Sequence, residues 1–294
     1  MLSVLFCSRV KDNPASNLAD LLDSAVEHIR PEERDKIEFL IKYDDDDDQR
    51  PPDSFFALYP FTIRRFVWSR GEGRHSLHHA QEYLFAQRDP HSRFCLMTAD
   101  DFYFTRPGFV SEILAVRDEF CIIGHNRPPI EAFAGIYEQE FAVRQWNVAF
   151  GEMSPVVSAR LIEVCQNFGW QSNVDSWLMG LSVVLYDLYK VVIWRAITPY
   201  YERRGGYGLG DTPTYNNMEL TAQKVPANNY WFELLRRQAR NVYLNMVHGT
   251  DLTPVSFWSP SRLWWRMRSQ PLRRLPARVC RTMLRRLVSV QPSP

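Results

Sequence analysis

The chain has 294 residues, 45% of them apolar and 23% charged, with a formal net charge of +1. This composition excludes a disordered chain and a disulfide-stapled mini-protein, and at this size about 75% of the unfolded surface can be buried without staples. The charge balance gives no ground for a nucleic-acid partner.

Five scattered cysteines, Cys7, Cys95, Cys121, Cys165 and Cys280, form no C-x-x-C pair and read as buried free thiols in a reducing compartment. The first residues, MLSVLFCSRVKDN, lack a basic leader and read as a first strand rather than a signal peptide. The longest apolar stretch, Trp177 to Ile197, is interrupted by Asp187, Lys190 and Arg195, so no transmembrane helix is expected. A cytoplasmic location follows as an expectation, with peripheral attachment to the inner face of the membrane considered below.

Strand-like and helix-like segments alternate from the start. Ser3 to Cys7 reads as a strand. Asn17 to Ile29 carries Leu18, Leu21, Leu22, Ala25, Val26 and Ile29 at helical spacing, with Asn17 as N-cap. Ile37 to Lys42 is a second strand, Arg65 to Trp68 a third, Phe94 to Met97 a fourth and Cys121 to Ile123 a fifth. Ser76 to Gln87 reads as a helix between the third and fourth. This rhythm predicts an α/β fold with a mainly parallel central sheet flanked by helices. Further on, Trp146 to Phe150 and Val191 to Trp194 read as strands. Pro155 to Phe168, Val174 to Leu188 and Trp231 to Val247 read as helices. Arg203 to Asn217 is a glycine- and asparagine-rich loop, and its GGYGLG part, Gly205 to Gly210, reads either as a flap over a ligand or as a plain surface loop. Residues 1–250 form one domain in this reading, and 251–294 a separate tail.

Two acidic clusters sit at the carboxyl ends of predicted strands, where open α/β sheets bind ligands. IEFLIKYDDDDD ends the second strand with Asp44 to Asp48, and CLMTADD ends the fourth with Asp100 and Asp101. Asp44 and Asp45, nearest the strand, are candidate ligand contacts, whereas the last aspartates of the run read as a solvated loop. Asp100 and Asp101 read either as a ligand or metal site or as acids at the start of a helix from Phe109 to Val116. Ser8 and Arg9, ending the first strand, border the same edge. Arg70, Gly71, Gly73 and Arg74 could meet phosphate, although such glycines also serve ordinary turns.

The ordered set resembles nucleotide-sugar glycosyltransferases of the GT-A fold, nearest the bacterial family-two type. The resemblance spans roughly residues 2 to 200: SVLFCSRVKDNPASNLADLL as the opening strand, loop and helix, IKYDD, SRGEGRHSLHHA and CLMTADD. It implies a GT-A-like (Rossmann-like) sheet and transfer of a sugar from a nucleotide-sugar donor to a hydroxyl, with inversion. Asp44 and Asp45 would hold the base or ribose, Ser8 and Arg9 would border the nucleotide, and Arg70 and Arg74 would touch the diphosphate. Asp100 and Asp101 would anchor a divalent metal, Mn²⁺ or Mg²⁺. Thr98 stands where a full D-x-D would place an acid, and is assigned a ribose hydroxyl instead. Asp175, in NFGWQSNVDSWLMGLS, resembles the acceptor-side acid that serves as catalytic base; it reads equally as an ordinary helix-start acid. The acceptor would be a glycan, a lipid-linked molecule or a small molecule.

Two other classes compete. His75 and His79, with Glu82, give a helical H-x-x-x-H that could serve a zinc hydrolase, but Ser76 occupies the position of that motif's glutamate. A catalytically silent transferase-like domain that binds a glycan or a membrane is the other.

The tail has no acidic residue after Asp251, and its arginines alternate with Trp264, Trp265, Leu284 and Leu287. That is the composition of an interfacial segment meeting an anionic membrane through residues 261–290, or of a basic terminus with no specific partner. Deleting residues 261–294 is expected to release the protein from anionic vesicles, and salt should weaken binding of the full chain. Vesicle sedimentation unchanged by the deletion would refute the anchor.

Overall fold

A computed structural model describes residues 1–11, 18–70, 77–125, 130–133, 154–165, 174–203 and 229–249. Three apolar runs build its centre. β1 (Leu2–Ser8), β2 (Ile37–Asp44) and β4 (Phe94–Ala99) are buried on both faces, as parallel strands covered by helices must be. β1 pairs in parallel with both, with Phe6 opposite Ile41 on one side and Thr98 on the other. β3 (Thr62–Trp68) adds in parallel to β2 as an edge. Its arginines are held by acids: Arg64 lies 3.6 Å from Glu38, and Arg65 lies 2.5 Å from Asp53.

The sheet continues through β6 (Ile122–Gly124), β7 (Val156–Ser158) and β8 (Trp194–Ala196) in the order β3-β2-β1-β4-β7-β6-β8. β7 runs antiparallel to β4 and β6, and the remaining pairs are parallel. A small second sheet pairs β5 (Phe102–Phe104) with β9 (Tyr201–Arg203). The fold is thus α/β, with the mainly parallel, helix-flanked central sheet that the GT-A resemblance implies.

Side chains alternate between the two faces. Leu5, Leu40, Met97, Ile122 and Val157 pack with Leu84 of α3 (Leu77–Gln87), Leu161 of α6 (Ala159–Cys165), and Leu178 and Leu185 of α7 (Val174–Tyr189). Leu235 and Val242 of α8 (Asn229–His248) join the same face. Val4, Phe6, Phe39, Ile41 and Leu96 face the other way. They meet Leu21 and Leu22 of α1 (Leu18–His28), Phe109 and Ile113 of α4 (Phe109–Ala115), and the small sheet. Two single-turn helices, α2 (Asp53–Phe56) and α5 (Ile130–Phe133), and a 3-10 helix at Pro31–Lys36 complete the described elements.

Several expectations change. The helix read from Pro155 to Phe168 is a strand followed by a shorter helix. Val156 and Val157 are β-branched, and they bridge Leu96, Ile122 and Ile123 across β4 and β6. The late strand starts at Trp194 rather than Val191, because Ile193 gives its carbonyl to Ile122 N–H at 2.9 Å and the ladder begins after it. The third strand begins at Thr62, earlier than Arg65. The strand read at Trp146 to Phe150, most of the loop from Arg203 to Asn217, and the tail lie outside the described residues.

Candidate functional site

Parallel pairing brings the carboxyl ends of β1, β2, β3 and β4 to one edge. The register sets Ser8 opposite Tyr43, and Cys7 opposite both Lys42 and Ala99. One residue beyond Ala99, Asp100 comes to Ser8, whose Oγ–H donates to Asp100 Oδ2 at 2.8 Å. Asp100 is 8% exposed, and Asp101 is half-buried beside it. The two acids form a turn between β4 and β5, not the start of α4, which opens at Phe109 after Gly108 in the left-handed region at φ 101°. Phe102 and Phe104 are 1% exposed. They pack with Tyr201 and Phe109, with ring centroids 4.6 Å apart for Phe102–Tyr201 and 5.5 Å for Phe104–Phe109. The aromatics behind the acids therefore pin the turn to the domain.

The second cluster is dense with counter-charge. Lys42, 3% exposed, meets Asp44 Oδ1. Arg9 Nη1 donates to Asp44 Oδ2 at 3.1 Å, and its fork reaches Asp46 at 2.6 and 3.2 Å. This hydrogen-bonded guanidinium holds the Asp46 carboxyl below its usual range, and the carboxylates raise Arg9 in turn. Asp45 Oδ1 accepts the backbone N–H of Arg70 at 3.0 Å, while Arg70 Nη1 lies 3.5 Å from Asp46. Asp48 is exposed, 3.3 Å from Lys11 Nζ. The reading of the run's end as a solvated loop fails at Asp47. It is fully buried, and its oxygens accept N–H groups from Val10 at 2.8 Å, Lys11 at 3.1 Å and Gln49 at 3.1 Å.

Thr98 is 7% exposed, with its hydroxyl 2.9 Å from Ser154 Oγ. Tyr201 O–H donates to Ser154 O at 2.7 Å, and the His125 ring lies 4.0 Å from that of Tyr201. Tyr200 N–H donates to His125 Nε2 at 3.3 Å. Burial holds the His125 pKa below its ordinary value; Glu202 opposes this and Arg106 adds to it.

Sequence reasoning missed Ser154, Tyr200, Tyr201 and His125 around Thr98, along with Asp47, Lys42 and Tyr43. Lys42 had a signal, as the lone cation late in an apolar strand. Tyr201 had none. Tyr43 shares the face of Ser8, and its buried hydroxyl meets no partner among the described residues.

Of the predicted site residues, the structure gathers Ser8, Arg9, Asp44, Asp45, Arg70, Thr98, Asp100 and Asp101 at one sheet edge. Arg74 lies outside the described residues. Asp175 is the second residue of α7, at the helix start that the sequence predicts. His75 is outside the described residues, and His79 Nδ1 lies 3.3 Å from Glu82.

Among the described residues, no three His, Cys, Asp or Glu side chains gather as a metal cage. Asp100 and Asp101 nevertheless fit a hard divalent ion that takes one or two carboxylates and completes its shell with phosphate and water oxygens.

No protein-family model matches the chain, and no curated protein matches it. Solved structures do. S. aureus TarS 1–349 in complex with UDP is 12% identical with a TM-score of 0.46, over 86% of this chain and 67% of that one. A longer S. aureus TarS structure is 12% identical with a TM-score of 0.43, and this chain covers 43% of it, less than half its length. The mannosyltransferase PcManGT from Pyrobaculum calidifontis, in complex with GDP-Man and Mn²⁺, is 15% identical with a TM-score of 0.46, over 85% of this chain and 76% of that one. At these identities and TM-scores, nothing about this chain's chemistry follows from the likeness.

Cys7 sits at this edge, opposite Lys42. Burial pushes its thiol up to about 12; Lys42 opposes the shift, and Asp44 and Asp100 add to it. A thiol raised from near 9 to about 12 has a native thiolate fraction on the order of 10³ lower at pH 8. Only the unfolded state ionises easily, so this contribution to stability is full below pH 9 and is lost as pH rises from about 9 towards 12. Iodoacetamide at pH 8, followed by peptide mapping, should label Cys7 far more slowly in the native protein than in urea. Equal rates would refute the half-buried, protonated thiol.

Proposed function

We propose that the chain is a nucleotide-sugar-dependent glycosyltransferase whose donor lies across the carboxyl edge of β1, β2 and β4. One observation supports this above all: the Asp100–Asp101 turn is tied through Ser8 to the edge that also carries Asp44, Asp45, Arg9 and Arg70. A diphosphate leaving group is polyanionic, and Arg9 and Arg70 supply cations beside its place. Asp45 has one oxygen on the Arg70 N–H and is exposed, which suits a ribose or base contact. Asp100 and Asp101 would hold Mn²⁺ or Mg²⁺, which when bound neutralises charge developing on the leaving phosphate. Asp175 takes the acceptor proton as general base, and the transfer inverts. The acceptor is a hydroxyl of a glycan, a lipid-linked molecule or a small molecule. The arginine-rich tail of residues 251–294 brings residues 1–250 to an anionic membrane.

A catalytically silent binding domain has one observation in its favour. Both oxygens of Asp44 are already met by Lys42 and Arg9. Donor hydrolysis or transfer separates the two readings.

Thermal shift with UDP, GDP, ADP and CDP, each with and without Mn²⁺, is the first test. A nucleotide at 100 times its dissociation constant adds about 2.7 kcal/mol of stability. Asp100→Asn and Asp101→Asn should each remove the Mn²⁺-dependent part while leaving the unliganded melting temperature near wild type. Absence of any nucleotide effect on the wild-type protein would sink the proposal.

Asp175→Asn is expected to lower turnover by about 10²- to 10⁴-fold with donor affinity unchanged, because the base acts on the acceptor. Transfer at the wild-type rate would reduce Asp175 to a helix-start acid.

A further inference from the structure

Asp47 is the most enclosed residue of the aspartate run. Its Oδ2 accepts Val10 N–H, its Oδ1 accepts Lys11 and Gln49 N–H, and its own N–H donates to Asp44 O at 3.2 Å. Val10 and Lys11 lie just past Ser8, where pairing of β1 with β2 stops. The carboxylate therefore takes up backbone donors that the sheet no longer serves, and it joins the chain leaving β1 to the chain leaving β2. Side chains follow the same path: Arg9 to Asp44 and Asp46, and Lys11 to Asp48. The Lys11–Asp48 pair is exposed and contributes little. Hydrogen bonds to the buried Asp47 carboxylate are the strong members of the set.

We propose that Asp47 is a positioning residue. It fixes the segment Arg9–Lys11 and so holds Arg9 against Asp44 and Asp46 at the ligand edge. The ligand half of this proposal rests on the donor-site reading above; the loop half rests on the contacts alone.

Hydrogen–deuterium exchange and nucleotide binding test the two halves on the full chain. Asp47→Asn keeps the side chain's size but turns an amide N–H₂ towards one set of backbone donors. Amides of Val10 and Lys11 should exchange about ten-fold faster or more, since part-buried donors lose their acceptor. Strand residues Leu2–Cys7 and Ile37–Tyr43 should keep wild-type protection. The nucleoside diphosphate giving the largest wild-type thermal shift, among UDP, GDP, ADP and CDP, should bind about ten-fold more weakly or worse, with its Mn²⁺ increment retained. Asp48→Ala should match wild type in both measurements, which separates the buried clamp from the bulk charge of the run. Asp47→Ala should exceed Asp47→Asn in exchange; if it does not fold, Asp47→Asn decides. Wild-type exchange at Val10 and Lys11 in Asp47→Asn overturns the proposal. Faster exchange with unchanged nucleotide affinity also overturns it, leaving Asp47 a structural role. A wild-type chain that binds no nucleotide refutes the donor reading and the positioning role together, while the exchange result still reports the loop contact.

Discussion

Repulsion among carboxylates is the constraint that this structure answers. Parallel pairing of β1 with β2 and β4 delivers seven aspartates, Asp44 to Asp48 with Asp100 and Asp101, to one sheet edge. Left alone they would repel one another and force the edge apart. Counter-charges and donors are interleaved among them instead. Lys42 rises from within β2, Arg9 and Lys11 come from the end of β1, Arg70 from the end of β3, and backbone N–H groups close on Asp47. The chain at and just past the end of β1 supplies partners to Asp44, Asp46, Asp47, Asp48 and Asp100, so the charge pattern depends on the strand order being right.

The opposite end of the sheet shows what a purely structural acid looks like. Glu38, 1% exposed near the start of β2, accepts Ser3 O–H at 2.6 Å and Asp89 N–H at 2.7 Å, with Arg64 3.6 Å away. Glu33 similarly accepts Ser111 N–H at 3.0 Å. These acids are enclosed by donors and point at nothing outside. Asp45 and Asp101 retain solvent exposure at an edge where four strands end. That contrast separates the two ends of the sheet more firmly than acid content does.

Sequence patterning exposed the elements whose burial is periodic and continuous. β1, β2, β4 and α1 are near their expected bounds because each carries its own apolar signal over several residues. Val156–Ser158 was illegible because three residues become a strand only when two other strands flank them. β5 was hidden for a related reason: its partner β9 is far away in the chain, and three aromatic residues alone carry no strand pattern. Asp47 is the sharpest case. Five identical residues in a row give no local cue to which one is buried, and the answer lies in donors more than thirty residues earlier. Placement of the acids at strand ends was readable; their division of labour was not.

The β5–β9 pairing has a mechanical consequence. Phe102, the residue after Asp101, pairs with Arg203, the last residue of β9. Since the strands are antiparallel, the chain leaves β9 on the side where Asp101 enters β5. The end of β9 and the start of β5 are thus the two roots of one platform, which also anchors the paired acids. A force or substitution that shifts one root moves the other with it, through three residue pairs of backbone rather than through any side chain at the edge.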